Sequence, residues 1–575
     1  MELIYSCIYL LLISHVNAVR IASLKNLRLD HVDSEIYDKP QLYLKTDSKS
    51  YVDMVTNVPY EVLIAELFKH GQIQESKKTK TSVKFNFTFP DVANKDIADL
   101  SSHIPEDFTD ILLDLSFNES PRAKYLLDCL NLKWPELSKK ALPLKNAYST
   151  LIDTKIPFFA PGGRFKEFYY WDSYWILLGL LRMKMYISAE NLVKNFVFMI
   201  NKYGFIPNGS RKYYTNRSQP PMFTQMLYLL LQYDFERYKD FVMSKGIGAA
   251  IEEYEWFEEK KKTEFFFNGQ LLALNQYKVS ASHPRLESFI HDYIVFEYLK
   301  KYQDSPSETD FYSHIHTAAE SGWDFSTRWL LEDKHLYSIH TTDMIHVDLN
   351  ALLYRNEVII SKILLLKGDF EQSAKFKNKS NERALLINKV LWNPKRKIWN
   401  DYDTKARKYT DKRFYFSNIM PLLYGISPPD NTNPAEILTE YSKELFGYVG
   451  GIPTGGETIS SQQWDYPNVW APHQSMMVNY LLDKGHRNLA VHVARTFFEN
   501  AFAAYIEKNV FYEKYDCNRI GMTGNEGEYL PQTGFGWTNG TLIDFIYEFY
   551  KEFNSEFDHQ ESYKLVLEYL KTINN

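Results

Sequence analysis

Gln474-Ser-Met-Met-Val-Asn-Tyr-Leu-Leu-Asp-Lys-Gly-His-Arg-Asn-Leu-Ala-Val-His-Val-Ala-Arg-Thr-Phe497 carries two helix-like runs on either side of Asp483-Lys-Gly-His486. In the second run Leu489, Val493 and Phe497 recur every four residues, which stacks them along one face of a helix, and the glycine between the runs allows the chain to reverse. The stretch predicts an αα-hairpin. The same form occurs earlier. Residues 348–367 place Leu349, Leu352, Leu353, Asn356, Ile360 and Ile363 at helical spacing, and Gly368 is positioned to stop that helix. The continuous apolar run Trp175–Met185 suits a buried helix, and another helix begins near Met222, after the loop Asn216-Arg-Ser-Gln-Pro-Pro221. Alternating strand patterns are scarce. The predicted fold class is therefore all-α, a toroid of helical hairpins whose connecting loops converge on one central pocket.

No linker interrupts the 575 residues. Residues 1–18, with the apolar run Glu2–Ile13 before Val16-Asn-Ala18, have the form of a secretory signal, although the usual basic start is missing. Residues 19–150 are expected to form a helical N-terminal extension packed on the toroid, and residues 151–575 the toroid itself. No other stretch is long and apolar enough to span a bilayer, and the C-terminus lacks the hydrophobic tail of a lipid-anchor signal, so an exported, secreted protein is expected with no stable membrane anchor. Six glycosylation sequons, at Asn86, Asn118, Asn208, Asn216, Asn378 and Asn539, fit that context. Asn208, Asn216 and Asn539 fall in stretches assigned below to the site and are expected to be bare. Cys129 and Cys517 could pair or stay free; two cysteines make no disulfide framework. A net charge of -6 gives no reason to expect a nucleic-acid partner. The sequence sets no oligomeric state.

Several chemistries are excluded first. There is no Gly-x-Ser-x-Gly elbow and no Walker loop, and Gly246-Ile-Gly248 lacks the third glycine of a dinucleotide fingerprint. His314-Ile-His316 has neither the spacing nor the acidic companion of a zinc site, so hydrogen-bonded core histidines are expected. Glu258-Glu-Lys-Lys-Lys-Thr-Glu264 is expected to be an exposed helix face laced with helix-spaced ion pairs. What remains is a set of polar-aromatic stretches. Pro161-Gly-Gly-Arg-Phe-Lys-Glu-Phe-Tyr-Tyr-Trp-Asp-Ser-Tyr-Trp175 mixes glycines, cations, acids and aromatics. It is joined by Asn208 with Arg217-Ser-Gln219, by Arg285-Leu-Glu287 and Asp292, and by Glu320-Ser-Gly-Trp-Asp324. Farther on come Gln463-Trp-Asp-Tyr-Pro-Asn-Val-Trp-Ala-Pro472, and Glu513-Lys-Tyr-Asp516 with the Gly-rich run to Asn539. Charged groups among aromatics need partners, and a sugar supplies both hydroxyls for the charges and C–H faces for the rings.

These residues closely resemble the trehalases, the inverting α,α-trehalose hydrolases of glycoside hydrolase family 37. Pro161–Tyr174 resembles the family's first signature and Gln463–Pro472 its second. The likeness continues through Arg217-Ser-Gln219, Ser321-Gly-Trp-Asp324, Glu513-Lys-Tyr-Asp516, Gly527-Glu-Tyr529 and Gly534-Phe-Gly-Trp-Thr-Asn-Gly540. The resemblance implies an (α/α)6 barrel, Asp324 as general acid and Glu513 as general base. It also implies sugar contacts from Arg164, Trp171, Asp172, Asn208, Arg217, Ser218, Gln219, Arg285, Glu287, Gly322 and Glu528, with no metal or organic cofactor. Asp324 is expected to be protonated, in apolar and like-charged surroundings that include Trp323, and Glu513 ionised with the help of arginines. The sequence departs from the family twice. Arg285-Leu-Glu287 stands where Arg-Pro-Glu is usual, and Gly524-Asn-Glu-Gly527 replaces part of an unbroken glycine run. Two further readings stay open: a phosphate-dependent disaccharide phosphorylase, whose anion the three arginines would hold, and an inactive trehalose-binding protein.

Overall fold

The computed structural model describes residues 47–60, 62–64, 72–78, 83–88, 97–110, 120–145, 147–300, 306–333, 335–525 and 527–574. Residues 1–18, expected to be a secretory signal, and the sequon at Asn118 lie outside them.

The predicted hairpin is present as helix Ala471–Asp483 followed by helix Arg487–Lys508. The run at 348–367 forms helix Val347–Lys367, and Gly368 closes it in the left-handed conformation, φ +88°, that a side chain would resist. The apolar run after Trp171 forms helix Asp172–Arg182, buried on nearly every side.

Among the described residues, six helices touch in a closed ring. Asp172–Arg182 packs on Phe223–Tyr233, which packs on Val347–Lys367; the short helix Met420–Leu423 follows, then Ala471–Asp483, and finally Gly536–Phe549, which returns to Asp172–Arg182. The last contact is close: a Cβ on Gly540 would stand 1.9 Å from the carbonyl oxygen of Trp175. An outer layer includes Tyr186–Tyr203, Ile247–Lys260, Phe370–Val390 and Arg487–Lys508, each packed on its inner neighbour. This is the predicted all-α (α/α)6 barrel. One continuous apolar core, from Leu126 and Trp134 to Phe553 and Leu570, fills the space between the layers.

The segment before the barrel is less helical than expected. It holds helices Ser48–Val52, Pro121–Asn131 and Trp134–Leu137, but also an antiparallel hairpin of Gln72–Lys78 with Val83–Thr88. Val83-Lys-Phe-Asn-Phe-Thr88 alternates apolar and polar residues, a period of two that marks a strand. A further small sheet joins Leu100–Ser102, Ser138–Ala141 and Phe158–Phe159, so the segment is stitched to the start of the barrel by backbone hydrogen bonds. Helix Pro121–Asn131 packs on the ring helix Gly536–Phe549.

The Glu258–Glu264 run also differs from expectation. The helix ends at Lys260, a strand begins at Lys262, and Lys261 turns inward, 4% exposed, to pair with Glu320 at 2.6 Å. The exposed part keeps its expected i, i+4 pair, Glu258 with Lys262. Cys129 and Cys517 are both free thiols.

Candidate active site

The loops that precede the ring helices meet at the N-terminal end of the ring and line a partly open cavity. Its wall contains Arg164, Trp171, Asp172, Asn208, Arg217, Gln219, Arg285, Glu287, Gly322, Asp324, Glu513 and Glu528. Ser218 is different. Its hydroxyl donates to the Ile206 carbonyl and its backbone N–H to Glu320, so its side chain holds the loop together and does not face the cavity. Glu320 thereby gains a role that the sequence reading did not assign: one oxygen pairs with Lys261 and accepts from Ser218, while the other accepts from the Lys278 N–H.

Each arginine on the wall is held by carboxylates. Arg285 is clamped by Asp292 at 2.7 and 3.0 Å and reaches Glu528 at 3.1 Å; Glu528 also accepts from the Ser288 hydroxyl. Arg217 binds Glu287 and Asn208 and lies over the Tyr214 ring. Arg164 binds Asp47 at 3.0 Å and lies 5.0 Å over the Tyr529 ring. The paired cations hold Asp292 and Glu528 below the usual carboxylate range despite their burial, with Arg285 the principal cause.

The two expected catalytic carboxyls differ in their partners. Glu513 is 1% exposed; one oxygen accepts from the Tyr529 hydroxyl at 2.8 Å and the other from the Gln532 N–H at 3.2 Å. Asp324 keeps 32% of its side-chain surface open and stands 3.7 Å from Arg285 Nη1. Enclosure in the cavity wall pushes its carboxyl up to about 7, with Arg285 opposing and Glu528 adding to the rise. Trp323, expected to contribute, is not part of the wall; it stacks on Trp464 behind it. At Glu513 burial raises the carboxyl above the usual range, and Lys514, Tyr529, Gln532 and Arg164 partly reverse this. A third carboxyl, Asp172, is pushed to about 8 by burial and by the charges of Glu513 and Asp324.

Several wall residues were not singled out from the sequence. Trp464, Trp470 and Trp537 form an aromatic block in which Trp464 stacks on Trp470 at 4.0 Å and Trp537 meets Trp470 edge-on. All three lie inside the quoted stretches, so their indoles were a usable signal. Lys49, from the N-terminal segment, gave no comparable signal. Gly322 is required twice over, by φ +77° and because a Cβ would stand 2.9 Å from Trp171. Of the altered loop, Gly524 and Gly527 are the positions where a Cβ would strike Asn468 and Gln463, whereas Asn525 is exposed; Glu526 lies outside the described residues. Leu286 is buried, and Arg285 before it keeps the extended backbone, φ -60° and ψ 130°, that a following proline would also demand. His314 and His316 are both hydrogen-bonded, to Thr342 and to Asn216 and the His283 carbonyl.

A helical toroid with buried carboxyls, paired arginines and indoles around one end cavity is the architecture of a carbohydrate-cleaving enzyme. The family model for trehalase matches residues 43–550, and the chain belongs to the trehalase family. It is 33% identical to the trehalase of Apis mellifera over 517 residues, 87% of this chain and 80% of that protein. It is 31% identical to the trehalase of Homo sapiens over 538 residues, 92% and 87% of the two chains. Among solved structures it resembles neutral trehalase Nth1 from Saccharomyces cerevisiae, with TM-score 0.56 and 25% identity over 71% of this chain and 76% of that one.

Proposed function

We propose that the protein hydrolyses α,α-trehalose to two glucose molecules with inversion at the attacked anomeric carbon, Asp324 acting as general acid and Glu513 as general base. The observation that carries the reading is the contrast between two carboxyls on one cavity. Both oxygens of Glu513 accept from fixed donors, which offset part of the rise that burial causes there, while Asp324 has no such pair of donors and its carboxyl is pushed to about 7, so that it retains its proton in mildly acidic water. Asp324 protonates the glycosidic oxygen; Glu513 takes a proton from the water that attacks the opposite face. The sugar contacts are those already assigned, except that Ser218 acts through its loop. Asp172, neutral below about 8, can donate its O–H to a hydroxyl, and the indole block offers surfaces for the C–H faces.

The rate should fall as pH rises through about 7 and Asp324 loses its proton, and fall again when acid protonates Glu513. Phosphorolysis is disfavoured because Arg164, Arg217 and Arg285 are each already paired with carboxylates, leaving no bare cation cluster for a phosphate dianion. A binding-only role is disfavoured by the presence of both carboxyls on the wall.

The test is a proton NMR time course with α,α-trehalose in phosphate-free buffer, reading the anomeric signals before mutarotation. Equal early α- and β-glucose supports inversion. Two α-glucose per bond refutes it, glucose only with added phosphate favours the phosphorylase, and binding without glucose favours the inactive protein. Asp324→Asn and Glu513→Gln should each lower turnover at least about a hundredfold.

Export with glycosylation is part of the same proposal, supported by the form of residues 1–18 and by exposed Asn378. Asn208 and Asn539 are buried, and the Asn216 side chain is hydrogen-bonded to His316. Mass spectrometry of the secreted protein before and after N-glycosidase treatment should show a start after residue 18 and a glycan at Asn378, with these three sites bare.

A further inference from the structure

The first described residues, Asp47-Ser-Lys-Ser-Tyr-Val-Asp53, lie far in sequence from the signatures, yet Ser48, Lys49, Tyr51 and Val52 are buried. Ser48 and Val52 are fully buried and Lys49 is 1% exposed. A second apolar cluster, separate from the barrel core, joins Tyr51 and Val52 to Tyr169, Tyr214, Leu286 and Phe289. Helix Ser48–Val52 sits on the turn Leu286–Ser288, whose Glu287 and Ser288 line the cavity. Glu287 binds Arg217 and Ser288 binds Glu528.

The polar contacts run in two directions. Asp47 binds the Arg164 guanidinium, and Arg164 covers the ring of Tyr529, whose hydroxyl donates to Glu513. Lys49 borders the cavity, but its three N–H donors go to Glu167 at 2.6 Å, Asp53 at 2.7 Å and the Tyr213 hydroxyl at 3.1 Å, leaving none for a sugar. Glu167 in turn accepts from Tyr169, whose hydroxyl meets that of Tyr214 at 2.6 Å beneath the Arg217 guanidinium.

We infer that Asp47 and Lys49 are positioning residues of the active site, with Asp47 aligning Arg164 beside the base and Lys49 fixing the Glu167–Tyr169–Tyr214 wall under Arg217. The N-terminal segment is then a built-in wall of the catalytic cavity and not an accessory domain. This rests on the trehalose-hydrolase reading for its assay, but the contacts themselves do not depend on it.

The test uses the full chain. Lys49→Met, Lys49→Arg, Asp47→Asn and Asp47→Glu are compared with wild type for glucose release from α,α-trehalose, for trehalose binding by tryptophan fluorescence, and for thermal midpoint. Lys49→Met should lower kcat about tenfold or more, and Asp47→Asn about threefold or more, with KM changed less than kcat. The charge-retaining Arg and Glu variants should recover much of each loss. Asp47 keeps 29% of its side-chain surface exposed, so Asp47→Asn should fold even if Lys49→Met does not. Wild-type kcat in Asp47→Asn and Lys49→Met overturns the inference. So does a loss in Lys49→Met confined to misfolded protein while Asp47→Asn is unaffected, and so do Arg and Glu variants no better than Met and Asn. If wild type binds trehalose without releasing glucose, the hydrolase reading alone fails; binding then decides, threefold weaker affinity in the variants supporting the inference and unchanged affinity overturning it. A wild type that neither binds nor cleaves trehalose overturns both.

Discussion

Tyr529→Phe removes one hydroxyl and little else. The ring that Arg164 covers at 5.0 Å, and that Phe165 meets edge-on at 5.3 Å, is retained. What is lost is the hydrogen bond of 2.8 Å to Glu513 Oε1. A hydrogen bond to a charged group contributes about 1.5–3 kcal/mol, and water entering the cavity restores part of it, leaving a net loss of about 1 kcal/mol for the anion. At about 1.4 kcal/mol per pH unit, the carboxyl should rise by about 0.7 unit. The other groups facing Glu513 are Asp172, Lys514, Arg164 and the Gln532 N–H, and the substitution leaves them in place. Because the role proposed for Glu513 requires its anion, the acidic limb of the kcat/KM profile should move to higher pH by that amount. One unit below the wild-type limb the rate should fall roughly fivefold. Initial rates of glucose release across pH 3.5 to 8, with wild type in parallel, provide the assay. An acidic limb that stays in place or moves to lower pH would refute Glu513 as the base and Tyr529 as its donor.

Three further outcomes are expected. Gly322→Ala should raise KM for trehalose and lower unfolding stability by about 1–3 kcal/mol, since an L-residue resists φ +77° and the methyl would press on Trp171; unchanged KM in a stably folded variant would contradict this. Lys261→Met strands the Glu320 carboxylate and should cost about 3–5 kcal/mol by urea denaturation, with Lys261→Met/Glu320→Gln recovering part of it; no cost would mean the buried pair is dispensable. Asp324→Asn should stabilise the fold at pH 8 more than at pH 5. The folded state keeps a proton that the unfolded chain releases near pH 4, so the native carboxyl loses stability as pH rises toward about 7. Removing the carboxyl should yield about 1–2 kcal/mol after solvent screening, and an equal effect at both pH values would refute the cause.

The barrel was legible where local chemistry and global fold agree. Gly368 marks a helix end because the left-handed turn there is set by the residue itself, and the 474–497 hairpin follows from spacing and one glycine. The site was legible because its residues cluster in short stretches between helices, several of them just before ring helices, so that closing the ring brings the stretches together. Other features depend on tertiary surroundings that no local pattern carries. Lys261 looks like any member of a charge run until Glu320 takes it inward, and Ser218 resembles its neighbours Arg217 and Gln219 although its hydroxyl points the other way. The raised Glu513 carboxyl arises from enclosure, which spacing does not report. Lys49 reaches the cavity, and Asp47 reaches Arg164 on its wall, only because their segment folds back over Leu286–Ser288.

The seam between Asp172–Arg182 and Gly536–Phe549 governs when the cavity exists at all. The two helices that meet there come from opposite ends of the barrel sequence, and Glu513 lies just ahead of the second. A growing chain can form its early hairpins from neighbouring segments, but it cannot shut the circle until the final stretch has left the ribosome. Until then an open arc would expose the apolar side of its first helix, and no partial catalytic function could accumulate. Frameshifts and stop codons that fall just before Gly536 should therefore abolish activity as completely as early ones, leaving sticky, protease-sensitive fragments in place of weakened catalysts.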